Sequence, residues 1–579
     1  MRPSVPRRRR ALRHLLNRRK LRLLPQCSRE TQGENVPQPT ADIIVEGARV
    51  RTLAPGDPAA RGSIAIAGGR VLGVGEPAEI AEAFRGPRTR VDDARGSTVT
   101  PGLIDAHLHP IQGVELCQGV DLGGVSDLRG LAEALRGEAA RVRRAGPGGW
   151  VRGWNLDYAV FGGRRLASGL IDEAVGEVPA LLFCFDFHTA LASSEALRLA
   201  GITGARDFDD ASEIVVDASG RPTGELREES SYQPVVAAAP QPTRAETLAS
   251  ARATFARMRR SGLTGGTIMD GNSGTLDLLE ALADSGDGLP VRIVSAMDVR
   301  PTHTAEERAA IRAQRDRRGR RWRGGVIKLY ADGVIDTGAG WLYEADADGD
   351  GLTGFWPDQA DFAAAVREFT EAGFQIATHA IGDRAVGETI TAYASVGCRA
   401  LGRAVHRIEH LETLDPRDVA RLAATGITAS MQLPHLQWRI PDGSDEWARR
   451  LGPQRAARGW NAASVLRAGG ALALGSDWPI ADLDARVGLA WSVLRRRPGD
   501  RGGFVYEPEE RLTAAQALHG YTRGAALAQG DDDLGVIRPG AIADLAVWAD
   551  DPLGVDADDL PDLPVLATYV DGQREDHAD

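Results

Sequence analysis

The sequence predicts an α/β protein: a (βα)8 TIM barrel with an inserted subdomain, plus a small composite β-sandwich domain formed by both chain ends. Three observations predict this class. Short apolar runs such as TVTPGLIDAHLHP, GVIKLYADG, QIATHAIGDRAV, AVHRIEHL, GITASMQL and ALALGSDWPI alternate with Ala/Arg/Glu-rich helical stretches. That is the pattern of β-then-α units in series, and hence of a parallel sheet. The segment holding them, about 430 residues, suits a closed barrel with insertions better than an open sheet. Finally, polar residues able to do chemistry end these runs, where barrels carry their active face.

Taken in chain order, residues 1–40 form a basic tail, because residues 1–30 hold eleven Lys+Arg against Glu30 alone. The tail reads as a disordered extension or a misplaced start. Its Arg18-Arg19 pair is followed by only Leu21 to Leu24 before Pro25, too short for an export signal. Residues 41–98 alternate as strands around Gly68-Gly69 and read as the first part of the β-sandwich. Residues 99–530 are the barrel. The 219 residues from His109 to Lys328 are far more than three units of about 35 residues need, so an insert is placed at about 115–260. Residues 531–579, with GVIRPGAIADLAVWADDPL and PVLATYVDG, read as the second sandwich part, since neither end could bury a core alone.

Composition narrows the function classes. The 579 residues are 43% hydrophobic and 26% charged, globular values. The formal charge of −11 conceals a body, residues 31–579, with 58 basic against 79 acidic residues. Such a body repels nucleic acid and anionic membrane, and no apolar run of about 18 residues could span a bilayer. Cys27, Cys117, Cys184 and Cys398 are too scattered for a disulfide scaffold or a CxxC zinc site, which points to the cytoplasm. Assembly into a homo-oligomer is left open.

The chemistry-bearing residues follow from position. His107 and His109, one residue apart at the end of an apolar run, face one side of a strand and present two nitrogen donors. His379, His410 and Asp477 are each placed likewise, at strands five, six and eight, and Lys328 marks strand four. Lys328 is also one of only two lysines among 69 Lys+Arg. An ammonium is costly in an apolar run, whereas an amine can lose its proton and react. Four readings stand: a snorkelling or paired lysine, a Schiff base, a general base, or a lysine carbamylated by CO2 that bridges two metal ions. His188 is a candidate for substrate contact, His435 for the pocket wall, and Arg407, Glu409 and Asp383 for orienting the histidines. Asp346, Asp348 and Asp350 imitate half a calcium loop, but the twelfth position is Pro357, so a solvated loop is expected. The pairs Gly162-Gly163 and Gly265-Gly266 lack phosphate-loop spacing.

The set PGLIDAHLHP, KLYADG, THAIGDRAV, RIEH, GSDWP, TRGAA and GVIRPGAIADLAVW, together with DFHTALASSEAL and PTGELREE, resembles the metal-dependent amidohydrolase superfamily. The likeness is to its amidohydrolase-3 branch of YtcJ-like proteins and N-substituted formamide deformylases, over about residues 41–573. That family usually shows Trp and Asn where this chain has Leu191 and Ser193. The resemblance implies that His107 and His109 hold one metal ion, that carbamylated Lys328 bridges, that His379 and His410 hold a second ion, and that Asp477 contacts metal and activates water. It implies Zn2+ or a similar divalent ion, one or two per chain. The expected enzyme hydrolyses carbon–nitrogen bonds other than peptide bonds, its partner a small-molecule amide or N-formyl compound. Asp477 serves as general base and then acid, and Lys328 and His188 are further catalytic candidates. A deaminase of a cyclic imine, or a non-catalytic binding relative, are the alternatives.

Overall fold

The computed structural model describes residues 39–577 apart from 55–59, 209, 211, 272–273, 287 and 400–403. The basic tail with its twin arginines and Cys27 lies outside the described residues. Eight parallel strands run in chain order round one sheet: β1 (Leu103–Leu108), β2 (Leu263–Ile268), β3 (Arg292–Asp298), β4 (Trp322–Tyr330), β5 (Gln375–Ala380), β6 (Arg407–His410), β7 (Thr428–Met431) and β8 (Ala471–Leu474). Apart from the edges of β3, β4 and β8 they are buried, as expected when helices cover the outside and side chains fill the inside. Side chains alternate by two, so Val326 and Ala377 join Met269, Val294 and Ala296 in an apolar cluster, and Lys328 and His379 stand one step above them.

The last seam, between β8 and β1, is closed at the carboxyl ends. Asp477 N–H donates to His107 O at 2.7 Å, and His109 N–H to Trp478 O at 2.7 Å. The buried Asp105 carboxylate also accepts from Ser476 N at 3.1 Å and His107 N at 3.0 Å. Gly475 is required here: a Cβ would lie 2.6 Å from His107 N and 2.7 Å from Asp105 Oδ1. The barrel's closure thus places Asp477 beside His107.

Between β1 and β2 a second sheet of six strands forms, running from Val120–Asp121 to Pro222–Arg227. Its strands Ala180–Cys184 and Thr189–Ala192 are antiparallel neighbours, and their connecting turn is pinned by Asp186 Oδ1, which accepts from His188 N at 3.0 Å and Thr189 N at 3.2 Å. Both ends of the chain meet in a third sheet, where Thr98–Pro101 pairs antiparallel with Leu545–Trp548 over a core that includes Val45, Ile64, Val99, Val547 and Tyr569. Among the described residues no helix is long and apolar enough to cross a membrane, and Cys117, Cys184 and Cys398 are free thiols.

The loop at Asp346 is solvated as expected over residues 347–350, with Asp346 alone buried. Asp346 Oδ2 and Asp348 Oδ2 each lie 2.6 Å from an arginine nitrogen, of Arg450 and Arg449 respectively, and Asp350 pairs with Arg450 at 3.3 Å.

Candidate metal centre

The mouth of the barrel gathers residues from five strand ends and the inserted sheet. Asp477, just past β8, is the hub: Oδ1 lies 3.3 Å from His107 Nε2 and 3.2 Å from His109 Nε2, and Oδ2 lies 3.7 Å from His410 Nδ1 and 3.6 Å from His435 Nε2. The rings of His379 and His410 are 4.4 Å apart, and those of His107 and His410 4.8 Å. Lys328 Nζ stands 3.5 Å from His107 Nε2. Asp477 and His410 both adopt left-handed backbone, φ 58° and 75°, uncommon for non-glycine residues and a recurrent mark of functional positions.

Protonation follows from surroundings. His107 Nδ1 lies 2.7 Å from Glu409 Oε2, which accepts its N–H and leaves Nε2 as a lone-pair donor toward the centre. Burial, helped by Lys328, lowers the His107 imidazolium to about 4, so the ring is neutral at pH 7. Burial likewise drives His379 and His410 well below the usual histidine value. Asp477 is driven up by burial, but His107, His109 and His435 overcome this and hold it below the usual carboxylate range. His109 is opposed by burial yet raised to about 9 by Asp270 and Asp477, so a proton sits where a cation could bind. Burial lowers Lys328 as well, toward the neutral amine.

These residues fit a divalent cation. Ligand atoms of His107, His410 and Asp477 all lie within 4.8 Å of one another. His109 Nδ1, His379 Nε2 and both ring nitrogens of His410 are buried without a hydrogen-bond partner among the described residues. Buried nitrogens are normally satisfied, so a cluster of orphan imidazoles around a carboxylate calls for a positive ion.

Behind this layer, Arg407 and Glu409 form a fully buried fork, Nε to Oε1 at 2.5 Å and Nη2 to Oε2 at 3.0 Å, anchored to Ser430 Oγ at 2.9 Å. Both touch the histidine layer through Glu409. Asp383 does not: its carboxylate accepts from Tyr343 N at 3.0 Å, because the residue opens the helix Asp383–Val396 and faces the neighbouring loop. That corrects the orienting role expected for it.

His188 reaches the centre from the inserted sheet, its ring 5.7 Å from that of His379 and its Nδ1 2.7 Å from Glu228 Oε2. Glu228 has φ 59°, so its backbone is strained where it grips the ring. Leu191 is strand core and Ser193 caps the helix Ser194–Leu199; neither lines the cavity. Three acids escaped the sequence reading. Asp270, past β2, lies 3.6 Å from His109 Nδ1; Asp332, past β4, accepts from Trp341, Ile381 and Gly382 N–H groups and lies 3.8 Å from His379 Nε2; Glu412 lies 3.7 Å from His435 Nδ1. Asp270 and Asp332 are the first carboxylates after apolar strands, the same signal that marked Asp477.

Comparison with known proteins agrees with this geometry. The model of the amidohydrolase family matches residues 90–574. The Protein LONG AFTER FAR-RED 3 of Arabidopsis thaliana is 32% identical over 557 residues, covering 92% of this chain and 91% of that protein. The N-substituted formamide deformylase of Arthrobacter pascens is 28% identical over 553 residues, 92% and 97% of the two chains. A metal-dependent hydrolase of Pyrococcus furiosus shares the fold, with TM-score 0.66, 23% identity and coverage of 88% and 99%. With the barrel, the centre and a family match over most of its length, the chain belongs to the amidohydrolase family and is a hydrolase of carbon–nitrogen bonds.

Proposed function

We propose that the protein hydrolyses a small amide or N-formyl compound, with Asp477 as the proton carrier. The observation that carries this reading is the Asp477 carboxylate with four imidazole nitrogens within 3.7 Å at the barrel mouth. His107, His109, His379, His410 and Asp477 would hold the cation, and imidazole with carboxylate donors suit zinc. When bound, such an ion polarises the substrate carbonyl and makes water acidic enough to attack at neutral pH.

The protein's own residues do the rest. Asp477, kept ionised, accepts a proton from water as its oxygen bonds to the carbonyl carbon, then returns that proton to the nitrogen as the C–N bond breaks. The products are a carboxylate or formate and an amine. His188, its Nδ1 occupied by Glu228, directs Nε2 toward the cavity it shares with His379 and Asp477, where an N–H can donate to the carbonyl oxygen. Lys328 is 1% exposed, and among the described residues no carboxylate ion-pairs with it. We read it as a carbamate, formed when the neutral amine adds CO2 and releases a proton; the new anion would accommodate a second ion.

The test is a zinc-reconstituted assay over N-formyl amines and N-acyl amines, with products identified by mass. Wild type should release amine, and Asp477→Asn should lose about 100-fold or more in kcat. Wild type without turnover across the panel, or a variant with unchanged kcat, would sink the proposal.

A further inference from the structure

Resting on that hydrolase reading, we propose that the group flanking the scissile bond is an aromatic ring bearing a neutral hydrogen-bond acceptor, lodged in a chamber walled by Phe185, Trp438, Trp447 and Trp460. The chamber opens onto His379, His410 and Asp477, which it shares with the polar cavity lined by Glu229 and Arg300 on the other side. The centre therefore sits at a junction, where a bond with unlike substituents would lie.

The walls are two stacked pairs. Phe185 and Trp438 stack at 4.0 Å with 16° between planes, and Trp447 and Trp460 at 4.9 Å with 27°. Phe185 comes from the turn of the inserted sheet that also carries His188, and all three tryptophans come from the segment between β7 and β8. Flat apolar walls favour a flat, polarisable guest, because ring faces and edges attract one another beyond simple burial.

Polar groups set the rest of the guest's chemistry. Trp438 Nε1, Trp460 Nε1 and Arg439 Nη1 are buried donors without a partner among the described residues, whereas Trp447 Nε1 donates to Glu412 Oε2 at 2.9 Å. Outside the chamber Trp548 donates to Thr100 Oγ1 at 2.9 Å, while Trp341 Nε1 and Trp356 Nε1 are also without a partner among the described residues. Leaving three donors unpaired around one chamber is costly unless a ligand supplies acceptors. Burial pushes the Asp336 carboxyl well above its usual range, toward the neutral acid, and Glu412 and Arg439 line the chamber with opposite charges, so an uncharged acceptor such as an ether, hydroxyl or amide oxygen fits.

The acyl side and the amine side of the substrate can both supply such a ring, and paired ligands separate them. Quenching of tryptophan fluorescence is measured on the zinc-loaded Asp477→Asn enzyme, which binds with little turnover. One pair is N-formyl-4-methoxybenzylamine against N-formylcyclohexylmethylamine; the other is 4-methoxyphenylacetamide against cyclohexylacetamide. In at least one pair the aryl member should bind about three- to tenfold tighter. Trp438→Leu, at a partly exposed position, should erase that gap and leave the cyclohexyl ligand unchanged. Equal binding in both pairs, or a preference that Trp438→Leu does not move, overturns the inference. Aryl preference with no turnover by wild type would instead count against the hydrolase reading alone.

Discussion

Replacing Glu409 by Gln tests the layer that supports the metal centre without touching the centre itself. The substitution keeps the shape of the side chain and removes one charge between two buried groups. Arg407 and Glu409 are both fully buried, and Glu409 bridges the guanidinium to His107 Nδ1 at 2.7 Å. An amide cannot serve both neighbours. With its oxygen toward Arg407, its NH2 faces Nδ1 and forces the His107 proton onto Nε2, which removes the lone pair aimed at the centre. With the amide reversed, two donors confront each other. Uncoupling a buried ion pair on one side costs about 3–5 kcal/mol; Gln retains one hydrogen bond, so the lower end, about 3 kcal/mol, is expected. Loss of a ligand's supporting carboxylate weakens metal binding about 10–100-fold. Competition against a chromogenic zinc chelator reads the affinity, and denaturant titration of the chelated protein reads stability. Unchanged zinc affinity would refute the tautomer argument. Unchanged stability would refute the buried pair.

Three further outcomes are expected. Lys328→Arg puts a permanent cation where burial holds the lysine toward its neutral amine, and it cannot form a carbamate, so elemental analysis should show reduced metal per chain; full occupancy and activity would show the amine is not needed. Gly475→Ala drives a Cβ against His107 N at 2.6 Å and should cost about 1–3 kcal/mol, read as a lower melting temperature, with activity falling further because the seam positions Asp477; a variant with wild-type kcat would show the seam can relax. His406 accepts from Ile376 N at 3.1 Å, and burial lowers its imidazolium to about 4 from an ordinary 6.5. Between those values the unfolded chain binds more protons than the folded one. Its contribution is therefore complete above pH 6.5 and is lost as pH falls toward 4, about 2 kcal/mol of it between pH 7 and 5. His406→Gln should flatten the stability profile across that window, and an equal slope in both proteins would count against it.

Much of the barrel and of its ligand positions was legible along the chain. Period-two alternation set which residues share a face, and apolar-to-polar transitions set where strands end; His107, Lys328, His379 and Asp477 stand out by those two rules alone. Asp270 and Asp332 obey the same rule, each two residues past the end of its strand. Asp383 shows where the rule ends, since it follows a strand yet opens a helix and faces a loop.

What sequence could not convey is which distant residues meet. Asp105 and Ser476 are 371 positions apart, and their contact exists only because eight tilted strands bring the last back to the first. The strained turn that brings His188 to the barrel mouth, the Glu228 carboxylate that grips it, and the stacking of Phe185 on Trp438 likewise depend on the inserted sheet docking there. Local periodicity acts through neighbouring covalent geometry and is written in every short segment. Contacts between segments arise from packing of the whole chain, so the residues proposed as ligands stand out in the sequence, while the surroundings that tune them were decided in three dimensions.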